Sequence, residues 1–266
     1  MRSNNPVFSR NEEFARSGYT GLQSGPDTMT AGQLQDMYDR PAATPQQTGR
    51  MTLDDVVMRT AMLFGVLLVF AAGAWVLQLG LGVAIIAALA ALGVGLFVSL
   101  RREISPALTL LYAALEGVFI GAISRAYETA WEGVVPQAIL GTLAAFVGML
   151  VLYRSGKLRA TPKFTKVLIT AMFGYLFVAV ISLITAFFGV GGGWGFYGVG
   201  GLGILLCVAG VALASLFLIL DFDFIEQGIR NGLPEREAWR AAFGLMVTLV
   251  WLYLELLRLL AILRGE

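Results

Sequence analysis

The stretch VGGLGILLCVAGVALASLFLIL, residues Val199–Leu220, decides the fold because it contains no charged side chain. An α-helix needs about 20 consecutive apolar residues to cross the roughly 30 Å hydrocarbon layer of a bilayer. The stretch has this length, so it predicts a membrane-spanning helix. Two carboxylates, Asp221 and Asp223, follow it directly and predict that the span ends there.

Six further apolar stretches of similar length predict six more spans. They are Arg59–Trp75, Leu81–Leu100, Pro106–Arg125, Val135–Tyr153, Phe164–Phe188 and Trp239–Leu263. The composition agrees, because 57% of the 266 residues are hydrophobic and 14% are charged, against roughly 45–50% and 25% in an average soluble domain. The prediction is an all-α integral membrane protein with seven transmembrane helices, formed by residues 51–266.

Residues 1–50 have a different composition, rich in Asn, Ser, Gly, Gln, Thr and Pro. A segment with so few apolar side chains cannot bury enough surface to fold alone, so we predict a disordered tail. The first apolar segment follows only after about 55 residues and is too long for the core of a secretory signal. A net charge of +1 gives no indication of nucleic-acid binding.

The positive charges predict the orientation, because cytoplasmic loops retain Lys and Arg. One set of alternate connections holds most of them: Arg40, Arg50 and Arg59 before the first span, then Arg101 and Arg102, then Arg154, Lys157, Arg159, Lys163 and Lys166, then Arg230, Arg236 and Arg240. The other connections hold only Arg125, and the C-terminus holds Arg264. We therefore predict a cytoplasmic N-terminus and an external C-terminus.

The residue inventory excludes several classes of site. The chain has no His, which excludes His-ligated metals, serine triads and rhomboid-type proteolysis. A retinal protein needs a lysine within a span, whereas Lys157, Lys163 and Lys166 lie in or beside one loop. The single Cys207 lies in an apolar stretch and is interpreted as a small buried hydrophobe. We predict neither an enzyme nor a cofactor.

Charged residues inside the spans are the candidate functional groups, because each costs about 2.5–3.5 kcal/mol at the bilayer centre and usually faces a partner or water. Glu116 lies in the middle of the third span. Gly117 and Gly121 are four residues apart and share one helix face, where a neighbouring helix can approach beside the carboxylate. Glu116 therefore either lines an ion pathway or joins two helices through a hydrogen bond.

The other intramembrane acids lie in the last two spans. Asp221 and Asp223 are two residues apart and point to different helix faces, so they do not form a chelating pair. They are either functional or ordinary interfacial charges. Glu255 and Arg258 are three residues apart on one face and predict an ion pair. Thr248 lies two turns before Glu255, nearer the predicted depth of Asp221.

Three segments together resemble the Bax inhibitor-1 family, also called the transmembrane Bax inhibitor motif proteins. They are PALTLLYAALEGVFIG at Pro106–Gly121, the end of span six with Asp221 four residues before Ile225, and WLYLELLRLLAIL at Trp251–Leu263. The resemblance covers roughly residues 51–266, and the polar tail resembles the bacterial, actinobacterial-type branch.

This resemblance implies a bundle in which six helices surround a central seventh helix in the bacterial inner membrane. It also implies a pH-sensitive calcium leak, governed by a latch of two aspartates at the end of helix six and in helix seven. Asp221 matches the first aspartate. A gapless alignment places Thr248 at the second position, whereas an alignment on the Tyr-Leu-acid pattern places Glu255 there. We prefer Thr248, because it keeps Arg258 in register with the family's C-terminal motif.

A threonine in the latch changes the expected chemistry, since two close carboxylates share a proton and one alone does not. The latch is then either rebuilt from Asp221 with Asp223 or Glu116, or the branch does not conduct calcium in the same way. Calcium prefers such hard oxygen ligands, and Asp221 is the candidate calcium contact.

Two functions follow from these residues. The first is a proton-modulated leak of cations, mainly calcium, along a path lined by Glu116, Asp221 and Glu255. The second is a non-conducting regulator that docks to another membrane protein or a protease through the tail and the charged sixth loop.

Overall fold

The computed structural model describes residues 49–265, and most of the predicted tail lies outside them. Regular structure in this range is helical, apart from one isolated bridge between Arg50 and Pro234. The seven long helices are α1 Leu53–Val76, α2 Leu81–Leu100, α3 Pro106–Ala130, α4 Val134–Arg154, α5 Pro162–Phe187, α6 Gly200–Arg230 and α7 Ala238–Gly265. All seven are long and apolar enough to cross a membrane, which confirms the predicted fold class.

The predicted spans differ from the helices most at the start of α1 and the end of α6, and α3 also continues five residues beyond its predicted end. Helix α1 begins at Leu53, six residues before the predicted start. A reciprocal capping box begins it, in which Asp55 N donates to Thr52 Oγ1 at 3.2 Å and Thr52 N donates to Asp55 Oδ2 at 2.9 Å. Helix α6 continues through Asp221 to Arg230. The helix therefore extends ten residues beyond the predicted span, because hydropathy reports lipid contact whereas the backbone remains helical past it.

Helices α3 and α7 form the centre of the bundle. Half of the apolar span in each is buried, against 11% in α5 at the periphery. Helix α7 packs on α6, α4, α1 and α3, in agreement with the predicted central seventh helix. The main buried cluster includes Tyr112 and Ala113 of α3 with Met246 and Tyr253 of α7.

The glycine face of α3 allows α1 to approach at backbone contact, as predicted. A Cβ atom on Gly117 would lie 2.4 Å from the Leu67 carbonyl oxygen, and one on Gly121 would lie 2.2 Å from the Ala71 carbonyl oxygen. Small residues permit such contact in lipid, where no hydrophobic force drives helices together. Helices α1 and α3 consequently share the most extensive interhelical contact in the described chain.

The two ends of the bundle carry different connections. At the end where α6 stops and α7 begins, called here the Asp221 end, residues Gly49–Met51 form two backbone hydrogen bonds of 2.8 and 2.9 Å with Leu233–Glu235. Met51 is fully buried there. At the opposite end, called here the Glu255 end, two short 3₁₀ turns, Val190–Gly193 and Gly195–Gly198, join α5 to α6.

Candidate functional site

Asp221 lies where α6 crosses α7 closely. A Cβ atom on Gly244 of α7 would lie 3.6 Å from Asp221 Oδ1, so the carboxylate faces the α7 backbone directly. The Thr248 side chain, one turn further along α7, lies beside the same carboxylate. Its hydroxyl donates to the Gly244 carbonyl at 3.2 Å. The structure therefore brings Asp221 and Thr248 together, as the gapless alignment requires.

The Asp221 carboxylate is incompletely satisfied. Its Oδ2 atom is buried and has no hydrogen-bond partner. None of the salt bridges in residues 49–265 includes Asp221. A buried polar atom without a partner normally costs about 1–3 kcal/mol, and more if it is charged. Such an atom is rare in a native fold and makes Asp221 a candidate functional group.

Asp223 lies on a different face of α6. It accepts a hydrogen bond of 2.5 Å from Gln227 Nε2, and it borders an open surface pocket with Thr165 and Lys166 of α5. Successive residues of an α-helix are rotated by about 100°, so the side chains of Asp221 and Asp223 point to different faces of α6. Asp223 is thus a surface group near α5, and the structure does not join it to Asp221 in a latch.

Glu116 belongs to the interior of α3. It is 8% exposed and lies beside Tyr112, one turn earlier on the same helix. The Tyr112 ring packs edge-to-face against Phe243 of α7, with 5.0 Å between ring centroids. None of the salt bridges within the described range includes Glu116 or Asp221. The structure thus places Glu116 next to an aromatic contact between α3 and α7.

Glu255 is the most completely bonded of the predicted acids. Arg258 Nη1 donates to Glu255 Oε2 at 3.2 Å, which confirms the predicted ion pair. Tyr175 Oη and Trp251 Nε1 donate to Oε1 at 2.8 and 3.2 Å. The carboxylate is only 4% exposed, and three donors compensate for the water that it has lost.

A second tyrosine extends this network into the α5–α6 connection. The Tyr197 hydroxyl donates to Tyr175 Oη at 2.8 Å, and the Arg258 guanidinium lies 4.3 Å from the centroid of the Tyr197 ring. Burial raises the pKa of Tyr197, so its hydroxyl keeps the proton that it donates at neutral pH. We call Tyr175, Tyr197, Trp251, Glu255 and Arg258 the Glu255 cluster.

Helix α6 closes one side of the Glu255 cluster. A Cβ atom on Gly210 would lie 2.7 Å from Glu255 Cδ and 2.5 Å from Tyr175 Oη, so only glycine fits there without movement. Gly210 precedes Asp221 by 11 residues on the same helix. At 1.5 Å per residue, the two buried carboxylates differ in depth by about 16 Å.

Sequence reasoning missed several of these partners. Gly244 carries no signal beyond that of an ordinary packing glycine, and Tyr175 lies 80 residues from Glu255 along the chain. Tyr197 lies 22 residues from Tyr175, in the Gly-rich connection between α5 and α6. A hydroxyl-bearing aromatic in a short Gly-rich connection was the one available signal.

Residues 49–265 contain no cluster of side chains that could hold a metal ion. No group of three or more Cys, Asp or Glu residues lies close enough there to hold an ion. The Asp221 site supplies one carboxylate, the neighbouring hydroxyl of Thr248 and backbone carbonyls. Such a set is suited to brief contact with a passing cation, which exchanges ligands as it moves.

The family model described as Bax inhibitor 1 like matches residues 5–265 of the chain. No curated protein matches the chain.

Proposed function

The chain belongs to the Bax inhibitor 1 like family and is a multi-pass membrane protein; on this premise we propose that it is a pH-sensitive leak pathway for cations, chiefly calcium, in a bacterial inner membrane. Asp221 is the group that contacts the ion and responds to the proton. The N-terminus is cytoplasmic in this proposal, as the positive charges predict.

The observation that carries the proposal is the buried, unpartnered Oδ2 atom of Asp221. An ionisable group inside a membrane domain is expensive and commonly marks an ion or proton pathway. A carboxylate whose oxygen already accepts several hydrogen bonds has no free lone pair for an ion. Within the described residues, Asp221 Oδ2 accepts no hydrogen bond and therefore keeps its lone pairs free. Carboxylate oxygens are ligands that calcium prefers.

The surroundings of Asp221 determine the form of the pH response. From α7 the carboxylate faces Gly244 and Thr248, and the nearest acid on α6, Asp223, points toward α5. A single acid takes up one proton in one step, whereas a coupled pair titrates in two. We expect the leak to follow a single-proton curve.

Calcium flux into proteoliposomes tests this proposal. Wild-type protein should carry a flux that varies with pH, and Asp221→Asn should reduce the flux and flatten its pH dependence. Asp223→Asn is the matched control, since it changes the neighbouring acid on the other helix face and should retain the wild-type curve. An unchanged flux and pH profile in Asp221→Asn would show that the mechanism is wrong.

A second candidate function, a non-conducting regulator that binds another membrane protein or a protease, is supported by a different contact. The last residues of the predicted tail meet the other proposed element, because Gly49–Met51 pairs with Leu233–Glu235 of the α6–α7 connection. Arg59 also bonds to Glu235 at 2.5 Å. A partner that binds residues before Gly49 would therefore act on the segment that leads from Asp221 into α7.

Deletion of residues 2–48 separates the two candidates and keeps the paired segment intact. A leak pathway retains its calcium flux in the shortened protein, because Asp221 and its neighbours are unchanged. A regulator that uses the tail loses its cellular activity and its partner. Loss of partner binding together with an absence of flux in the full-length protein would favour the second candidate.

A further inference from the structure

The two buried carboxylates of the last helices are in opposite states. Asp221 has an oxygen without a partner, whereas Glu255 accepts from Tyr175, Trp251 and Arg258. A cation that reached Glu255 would have to displace the guanidinium that already neutralises it. At the Glu255 end of the bundle, the side chain of Arg258 thus occupies the place of a cation, whereas no such side chain of the described residues neutralises Asp221 at the other end.

The position of Arg258 matches that of a bound cation. Its guanidinium donates to the Glu255 carboxylate and lies over the face of the Tyr197 ring. An aromatic face attracts a cation electrostatically within about 6 Å. The Tyr127 phenol and the Cys207 thiol also lie beside the guanidinium, so groups from α3, α6, α7 and the α5–α6 connection converge on it.

The connection that supplies Tyr197 is held by a few specific contacts. Gly191, Gly192 and Gly193 adopt left-handed φ angles of 61°, 66° and 89°, which glycine reaches without strain. Beyond this turn, Phe196 N donates to Ser182 Oγ at 2.9 Å and Tyr197 donates to Tyr175. Only Gly195 is buried in the two 3₁₀ turns. Segments with so little buried apolar surface open at low free-energy cost.

We propose that Arg258 is a tethered cation that closes the Glu255 end of the bundle, and that Tyr197 holds the α5–α6 connection over it as a lid. The salt bridge to Glu255 keeps Arg258 in place, and the Tyr197 ring and hydroxyl couple the lid to both partners. When the lid lifts, Arg258 loses its aromatic contact and the end of the bundle admits water. The role of this closure in calcium leak rests on the proposed function, whereas the closure itself does not.

Cys207 provides a native reporter for the closure. It is the only cysteine in the chain, it is fully buried, and its thiol adjoins Arg258. Because the thiol is buried, we expect a water-soluble thiol reagent to reach it when the lid and the guanidinium move away. When opening and closing are fast, the labelling rate reports the population of the open state.

The experiment measures labelling of full-length protein in proteoliposomes by a charged, membrane-impermeant methanethiosulfonate. Wild-type Cys207 should react slowly, and Arg258→Gln should increase the rate about tenfold or more, the factor that corresponds to about 1.4 kcal/mol. Tyr197→Leu should also increase it, while leaving the Glu255–Arg258 pair intact. Arg264→Gln is the control, because Arg264 lies at the same end of α7 and bonds instead to the Glu132 carbonyl.

The outcomes separate this inference from the proposed function. Wild-type labelling rates in both Arg258→Gln and Tyr197→Leu would overturn the closure, even if Asp221-dependent flux is present. Tyr197→Leu keeps the test valid if Arg258→Gln misfolds, because the Glu255–Arg258 ion pair stays complete in Tyr197→Leu. If Arg258→Gln increases labelling while calcium flux is absent from every variant, the closure stands and the leak function fails. If both labelling and flux rise, and Asp221→Asn suppresses the flux, both stand.

Discussion

Gly121→Ala tests the backbone contact between α1 and α3. The added Cβ would lie 2.2 Å from the Ala71 carbonyl oxygen and 2.8 Å from the Ala71 Cα. Ordinary contact lies near 3.5 Å, so the two helices would have to separate by on the order of 1 Å. Overpacking of this kind costs about 1–3 kcal/mol. We expect the free energy of unfolding to fall by that amount relative to a substitution without overlap.

Gly148→Ala supplies the reference, because Gly148 lies within α4 and a Cβ there meets nothing within 4 Å. Both variants gain the same helix propensity, about 0.8–1.0 kcal/mol for Gly to Ala, so their difference isolates the packing cost. Unfolding of the two proteins in mixed micelles with increasing denaturing detergent measures it. Equal stability of Gly121→Ala and Gly148→Ala would refute the close approach of α1 and α3.

Two further predictions concern the last two helices. Thr248→Asp places a second carboxylate beside Asp221, so the pH dependence of calcium flux should change from one step to two. The control Thr248→Val should keep one step. A single step in Thr248→Asp would argue against the proximity of residues 221 and 248. Arg258→Met should lower the free energy of unfolding by up to about 3–5 kcal/mol by leaving Glu255 buried without its cation, toward the lower end because Arg258 is 29% exposed. Addition of Glu255→Gln should recover part of that loss in the same detergent titration, and strictly additive costs would contradict the ion pair.

The fold was largely predictable because its signals are local. Runs of apolar residues near 20 in length predicted all seven helices, and the four-residue spacing of Gly117 and Gly121 predicted a face that another helix approaches. The three-residue spacing of Glu255 and Arg258 predicted their ion pair. Each of these inferences depends only on helix periodicity, which the sequence displays directly.

The sites were less predictable because their partners are distant in the chain. Tyr175 reaches Glu255 across 80 residues, and Tyr197 reaches Tyr175 through a connection between two helices. Periodicity places a residue on a face of its own helix but does not indicate which helix packs against that face. The family resemblance indicated Thr248 as a neighbour of Asp221, but Gly244 carried no such signal, since it contributes only by the absence of a side chain.

The contrast between Asp221 and Glu255 decides which acid the leak proposal requires. Glu255 has three donors, and a buried carboxylate so completely bonded is explained by structure alone. Asp221 has a buried oxygen with no donor, and packing offers no compensation for its cost. Glu255 becomes available to a cation only when Arg258 leaves it, whereas no cationic side chain in residues 49–265 neutralises Asp221. An ion pathway through this protein would thus have one contact at Asp221, which no cationic side chain of the described range blocks, and a second about 16 Å away in depth, which Arg258 and Tyr197 control.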